Sequence, residues 1–282
     1  MTPDELLNIE IKLLLNGIYQ VYGYDFREYS EASLQRGLTR WLSGSGFATF
    51  SIAQSQLLRD RTLFDTLLHG ITVNVSEMFR DPPFFKAVRE QVVPYLKTYP
   101  FVKIWHAGCA SGEEAYSMAI LLLEEGLKGR FRIYATDISE EVIRKAEEGI
   151  YPLQDLQRFT RNYQQAGGSG SFSDYYTARS DHAVLDSSLR ENIVFAAHNL
   201  AVDADFGVMN LILCRNVLIY FKQPLKERVL GLFDRSLAPG GFLCLGTQES
   251  LAHRKISDRH AAVSPRMQIY RKMYAKKQRS AV

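Results

Sequence analysis

Apolar residues recur at helical spacing through the first quarter of the chain, then give way to short apolar runs separated by helical stretches. Leu6, Ile9, Leu13, Ile18 and Tyr22 approximate one face of a helix, and Leu34, Leu38, Trp41 and Leu42 one face of a second. Gly44-Ser45-Gly46 breaks that second helix, and Leu57, Leu58, Leu63, Phe64, Leu67 and Leu68 resume the pattern. From residue 101 the period changes. Strands are predicted over residues 101–107, 130–136, 192–197, 208–214, 242–245 and 267–270. Helices alternate with them, which predicts a mostly parallel sheet. Ser139 is placed to cap the helix after the second strand, with Gly149 ending it. A helix over 225–237 is expected to stop at Pro239-Gly240-Gly241. One segment breaks the alternation: a flexible Gly/Ser stretch at 166–171 precedes short β-prone pieces at 175–178 and 183–185. A small antiparallel insertion at about 172–194 is expected there, against the alternative of a surface loop. The expected division is a helical domain over 1–75 and an α/β domain over 76–282.

The first strand runs into Gly108-Cys109-Ala110-Ser111-Gly112-Glu113-Glu114 and a helix, and the second strand is followed by Asp137. Strand, glycine turn, helix, strand and acid open a nucleotide-type α/β site. Gly108 lets backbone approach a ligand closely, and the acid can accept hydrogen bonds from two ribose hydroxyls. The turn lacks the third glycine of dinucleotide enzymes and carries two carboxylates where a pyrophosphate needs N–H groups. A cationic nucleoside such as S-adenosylmethionine fits that turn; the alternative is an ordinary strand-to-helix connection.

Composition narrows the classes. With 46% hydrophobic and 23% charged residues, the 282-residue chain is globular. No apolar run is long enough to span a membrane, and the acidic N-terminal helix does not read as a signal peptide. A net charge of +3 is too small to imply nucleic acid. Cys109, Cys214 and Cys244 have neither metal nor disulfide spacing, which fits a reducing cytosol, and no metal is expected.

Four stretches then converge: Asn74-Val75-Ser76-Glu77-Met78-Phe79-Arg80, the glycine turn, Ala135-Thr136-Asp137-Ile138, and Cys214-Arg215-Asn216-Val217-Leu218-Ile219-Tyr220-Phe221. Together they resemble the CheR-type chemoreceptor glutamate methyltransferases, over nearly the whole chain. Ser76 stands where the family usually has Thr, and Thr247-Gln248-Glu249-Ser250 where many members have His-Ser-Glu. The resemblance implies a Rossmann-like S-adenosylmethionine-dependent methyltransferase sheet with a small antiparallel β-insertion, preceded by an α-helical N-terminal domain. It implies cofactor contacts from Asn74, Ser76, Arg80, Glu114, Asp137, Asn199, Leu200, Arg215 and Asn216, and S-adenosylhomocysteine as product. It puts Arg80 and Tyr220 near the transferred methyl, where a guanidinium and a phenol can hold an acceptor carboxylate.

The implied partners are the cytoplasmic methylation helices of chemoreceptors, met by a monomer. A receptor C-terminal peptide pairing with the edge of the insertion is a further implied contact. By the same analogy Arg36, Arg40, Arg59 and Arg61 face an acidic receptor helix; a solvated helix face is the alternative. Asp81-Pro82-Pro83-Phe84 matches a signature of enzymes that methylate DNA amino groups, but Asp81 as a helix N-cap with Pro82 in the first turn explains it without chemistry. Arg80 beside Asp81 also allows a plain surface ion pair. Glu113 is expected to complement the helix dipole. His106 and His198 lie near the site without a partner that suggests catalysis. Two other functions remain open: the same chemistry on another acceptor, or a cofactor-binding adaptor without turnover.

Overall fold

Helix α1 (Pro3–Tyr22) starts from a reciprocal cap in which Thr2 Oγ1 accepts from Glu5 N and Thr2 N donates to the Glu5 carboxylate. Gly23, at φ 77°, closes it. In this computed structural model, which describes residues 2–72, 76–251 and 254–274, α1 is followed by α2 (Glu31–Ser45), α3 (Phe50–Leu57) and α4 (Arg61–Ile71). Their shared core includes Leu14, Ile18, Phe26, Leu38, Phe50, Phe64 and Leu67, all fully buried. The face of α1 differs from the sequence expectation. Ile11, Leu14, Leu15 and Ile18 point inward, while Leu6, Ile9 and Leu13 are exposed. The helix is apolar on two sides, so spacing identifies a helix without saying which stripe is covered.

Next come α5 (Pro82–Gln91), the single turn α6 (Val93–Leu96), β1 (Val102–Ala107), α7 (Glu113–Glu124), β2 (Phe131–Asp137) and α8 (Glu140–Glu148). Ser139 caps α8 by accepting from Val142 N, and Gly149 ends it at φ 63°. The insertion begins earlier than expected. It contains β3 (Ile150–Pro152), α9 (Leu156–Gln165), β4 (Tyr176–Ala178) and β5 (His182–Leu185), with the strands in the antiparallel order β3-β5-β4. The Gly/Ser stretch before β4 is held in place. Gly168 packs so closely on Tyr163 that a Cβ would come within 2.2 Å of its ring, and Ser169 N and Gly170 N donate to Glu124 and Tyr163. Glu124 also takes the Tyr163 hydroxyl and the Arg89 guanidinium, which ties the insertion to the end of α7.

The chain continues through α10 (Ser187–Arg190), β6 (Ile193–Ala197), β7 (Met209–Cys214), α11 (Gln223–Ser236), β8 (Leu237–Leu245), α12 (Arg254–Ser257), β9 (His260–Ser264) and β10 (Ile269–Lys272). The large sheet has the order β6-β2-β1-β7-β8-β10-β9, with the first five strands parallel and the last two pairings, β8 with β10 and β10 with β9, antiparallel. Pro239-Gly240-Gly241 lies inside β8 and not before it. β7 advances from Met209 to Leu211 while β8 advances from Leu237 to Phe242, so the Pro/Gly segment is a bulge in a continuous strand. The carboxyl ends of β1, β2, β6 and β7 converge beneath the helical layer, where open α/β sheets form ligand crevices. Among the described residues no helix is long and apolar enough to cross a membrane, and none form a cluster suited to a metal ion.

Candidate active site

A cleft of about 210 Å³ opens at that convergence. Its floor comes from the strand ends and its roof from the helical layer, through Tyr29, Ser33, Leu34, Ile71 and Thr72. The two layers are stitched by backbone: Ser30 N donates to Tyr220 O at 2.7 Å and Lys222 N to Glu28 O at 2.8 Å, around a bridge between Tyr29 and Phe221.

At the end of β1, Gly108 has φ 83°, and a Cβ there would come within 2.4 Å of Val217 Cγ2. No other residue fits this turn without displacing the β7 loop. Ala110 follows in the left-handed region at φ 48°. Its N–H donates to Asp137 Oδ2 at 3.0 Å, and Ser139 N donates to Asp137 Oδ1 at 3.2 Å. Burial pushes the Asp137 carboxyl above its usual range, and these backbone donors oppose the shift. Each carboxylate oxygen keeps capacity for a further donor.

Glu113 is buried and accepts the Ser111 hydroxyl at 2.8 Å. Burial raises its carboxyl, and hydroxyls from Ser111 and Ser76 pull it down. Ser76 therefore lines the cleft while tied to Glu113. Glu113 does sit in the first turn of α7, but as a buried acceptor.

Glu114 and Arg215 form the centre of the site. Arg215 Nη1 lies 2.6 Å from Glu114 Oε2, and Arg215 Nη2 lies 2.6 Å from Asp81 Oδ2. The guanidinium sits 4.0 Å from the centroid of the Phe84 ring and is almost fully buried. His106 Nδ1 is 3.3 Å from Glu114 Oε1. Burial pushes the Glu114 carboxyl upward, but Arg215 and His106 outweigh it and hold it at about 2. Two carboxylates around one guanidinium leave this trio with one net negative charge. Asp81 therefore pairs with Arg215 and not with its neighbour Arg80. Asp81 stands at the N-cap position of α5 but makes no side-chain cap bond; its backbone carbonyl accepts from Phe84 N.

Arg80 lines the cleft between two left-handed residues, Phe79 at φ 52° and Asp81 at φ 59°. Tyr220 lines it from the β7 loop, with its phenol raised by burial and lowered by the charges of Arg80 and Arg36. Asn216, at φ 61°, follows Arg215 in that loop. Glu249 holds it: the buried carboxylate accepts from Asn216 N at 3.0 Å, Val217 N at 2.9 Å, Ile219 N at 3.3 Å and Gly246 N at 2.6 Å.

Of the residues expected from sequence, Ser76, Arg80, Gly108, Glu114, Asp137, Leu200, Arg215, Asn216 and Tyr220 meet on this cleft. Asn199 is not on its wall; its side chain accepts from Ala201 N in a local turn, and His198 lines the cleft instead. Asn74 lies outside the described residues. Arg36 and Arg40 are exposed on α2. Arg61 is instead engaged with Asp65 at 2.9 Å and with the Tyr24 hydroxyl at 3.3 Å, and Arg59 donates to Ser55 O. Sequence reasoning missed Tyr29, Leu34 and Ile71, for which no local signal exists. It also missed Glu249 as a clamp, although an acid just past the end of β8, beside the β7 loop, is such a signal.

The chain is similar to known proteins over most of its length. Residues 9–72 match the family model described as "CheR methyltransferase, all-alpha domain", and residues 74–266 the one described as "CheR methyltransferase, SAM binding domain". The chain is 48% identical over 272 residues to a Pseudomonas putida protein named as a methyltransferase, Cher3, covering 96% of this chain and 100% of that one. It is 29% identical over 231 residues to the chemotaxis protein methyltransferase of Listeria monocytogenes, covering 81% and 85% of the two chains. The corresponding protein of Salmonella typhimurium is 28% identical over 243 residues, covering 84% and 82%. Among solved structures, the N-methyltransferase NodS of Bradyrhizobium japonicum with S-adenosyl-L-homocysteine gives a TM-score of 0.39 at 15% identity, covering 70% of this chain and 89% of that one.

Proposed function

The chain belongs to the CheR methyltransferase family, whose cofactor is S-adenosylmethionine, and we propose that it methylates glutamate side chains of chemoreceptors. The products are glutamyl methyl esters and S-adenosylhomocysteine. The observation that carries this reading is that Arg80 and Tyr220 line the same cleft as Asp137 and the glycine turn.

The residues present fit the cofactor. Asp137 has acceptor capacity left for a ribose diol, and the net negative charge of the Asp81–Arg215–Glu114 trio suits a cationic ligand. The cofactor supplies a methyl group on a sulfonium. The acceptor glutamate has an ordinary pKa of about 4.3 and is already ionised at pH 7, so no general base is required. The protein's task is to align a carboxylate oxygen behind the methyl and to exclude water. Arg80 and the protonated Tyr220 phenol serve the first; the roof formed by Tyr29, Leu34 and Ile71 serves the second.

The receptor helix is assigned to the side of the cleft where α2 presents Arg36 and Arg40. Support comes from the exposure of both residues and from the reach of the Arg36 charge to Tyr220. Strand β4 is an edge of the small sheet, with Thr177 and Ala178 exposed. That edge can accept an extended receptor tail by strand addition.

The test is incubation with methyl-labelled cofactor and membranes bearing receptors, with and without C-terminal tails. Base-labile label on receptor bands supports the proposal. Label confined to other acceptors, or none, refutes it. A preference for tailed receptors that disappears on deletion of residues 174–188 supports the edge-strand role, and equal loss on both classes removes it.

A further inference from the structure

Arg80 sits in an unusual frame. The residues on both sides of it have positive φ, a conformation that costs a non-glycine residue free energy and persists only where the surroundings enforce it. The enforcement differs on the two sides. Phe79 is anchored in the core, its ring packed on Phe85, Tyr163 and Phe172 and its N–H donated to Ser117 Oγ at 2.8 Å. The side chain of Asp81 is anchored through the 2.6 Å contact with Arg215, while its backbone carbonyl accepts from Phe84 N at the start of α5. The flanking sequence supplies no substitute, because Asp81 makes no side-chain cap bond to α5.

Arg215 is the first residue after β7, and the loop it opens carries Tyr220. One end of that loop is fixed by Glu249, the other by Ser30 N on Tyr220 O. Arg215 itself is fixed by Glu114 on one side and the Phe84 ring on the other. The Asp81–Arg215 pair is thus a direct link between the segment bearing Arg80 and the segment bearing Tyr220, which are far apart in sequence.

We propose that Asp81 is a positioning residue for the transfer step, holding Arg80 in register with Tyr220 through its ion pair with Arg215. This rests on the reading of Arg80 and Tyr220 as the residues that orient the acceptor. Asp81 is not on the cleft wall; it acts through the geometry of its neighbour.

Asp81→Gly isolates the carboxylate, because glycine adopts the required positive φ without strain. Asp81→Asn keeps an acceptor oxygen and tolerates the left-handed region, and so removes only the charge. The full chain is assayed with receptor membranes for kcat and KM, and by calorimetry with S-adenosylhomocysteine. The expected result for Asp81→Gly is a fall in kcat of roughly 10- to 100-fold, the scale of a misplaced orienting group, with affinity for S-adenosylhomocysteine, which carries no sulfonium charge for the Asp81–Arg215–Glu114 trio to attract, close to wild type. Asp81→Asn is expected to lose less. In an Arg80→Ala background, Asp81→Gly is expected to cause no further loss, because the two act as one unit. Wild-type kcat in Asp81→Gly overturns the proposal. So does a parallel loss of kcat and cofactor affinity, or a full additional loss in the Arg80→Ala background. If Asp81→Gly does not fold, Asp81→Asn decides: a kcat loss that vanishes in the Arg80→Ala background supports the proposal, and wild-type kcat overturns it. A wild-type protein that labels no receptor overturns the transfer reading underneath, a result distinct from an active wild type matched by its Asp81 variants.

Discussion

Replacing Glu249 by Gln changes one atom and tests whether the β7 loop is held by charge and geometry together. The carboxylate divides four backbone donors evenly: Oε2 takes Asn216 N and Gly246 N, and Oε1 takes Val217 N and Ile219 N. A Gln side chain presents one oxygen and one NH₂, so either orientation turns a donor toward two other donors. Hydrogen bonds to a charged group contribute about 1.5–3 kcal/mol each, so two lost bonds set an upper range of about 3–6 kcal/mol. Removing a buried charge returns part of its desolvation cost, and the weaker Ile219 contact is easily sacrificed. A net destabilisation of about 2–4 kcal/mol is expected, a large share of the 5–15 kcal/mol typical of a folded protein. The assay is thermal melting of the cofactor-free protein, in which about 3 kcal/mol should appear as a drop of roughly 5 °C. Calorimetry with S-adenosylhomocysteine should also weaken, because Asn216 and Val217 line the cleft. A melting temperature unchanged within error would show that water or a loop shift replaces the carboxylate, and the clamp would lose its role.

Asp137→Ala is expected to weaken S-adenosylmethionine binding, by about 1.5–3 kcal/mol for each ribose hydrogen bond lost; unchanged affinity of a folded variant in a calorimetric titration excludes the ribose role. Tyr220→Phe should lower kcat more than cofactor affinity, because an orienting hydroxyl counts most in the transition state; normal turnover with weakened cofactor binding makes Tyr220 a binding residue instead. Acid should destabilise the protein in two steps. His198 and His260 are pushed below the ordinary 6.5 by burial, so their neutral forms favour the fold, and that stability falls as pH drops below about 6.5. Glu114, held at about 2, contributes stability above 4.5 that is lost as pH falls from there toward 2. Glu113 and Asp137, raised by burial, act in the opposite sense, so the histidine step is read by difference: the melting temperature of His260→Gln should fall less than that of wild type between about pH 7.5 and 5, and identical profiles would contradict the step.

What could be read from sequence was local. The glycine turn, Asp137, the Ser139 cap and Gly149 announce themselves because each requirement is met within a few residues: a positive φ, a close approach, a capping oxygen. The parallel strands were legible from apolar runs, since strands buried on both faces read as near-continuous apolar stretches. What could not be read depended on distant chain. Arg215 was expected as a cofactor contact and does line the cleft, but its ion-pair partners, Asp81 and Glu114, precede it by 134 and 101 residues and could not be foreseen. The side of α1 that is buried depends on where α3 and α4 fall, not on the period of α1. Strand β3 has only three residues and exists because β5 returns to pair with it, which no propensity predicts. Pro239-Gly240-Gly241 reads as a terminator, yet Gly241 lies where a Cβ would come within 2.9 Å of Asn210 O. There glycine is required by close approach inside a sheet, and the composition of a turn and of a bulge is the same.

The cleft's electrostatics bear on how the proposed reaction is accelerated. A carboxylate attacking a sulfonium cancels two opposite charges, so a purely ionic contact to either reactant weakens on the way to the transition state. Tight charge pairing with the acceptor would therefore hold the ground state more than it helps the transfer. The arrangement suits orientation better than charge binding. In the proposed complex the cationic cofactor meets Glu114 and Arg215 on the cleft wall, and the trio they form with Asp81 keeps one net negative charge after Arg215 is counted. Much of the lining, including Ile138, Leu200, Val217 and Phe221, is apolar. Tyr220, raised by burial, is a neutral donor at pH 7 whose hydrogen bond fixes direction without adding charge. The same reasoning favours turnover after transfer: the ester and the thioether have each lost the charge that drew the reactants in, while Arg80, Arg36 and the acidic trio keep theirs.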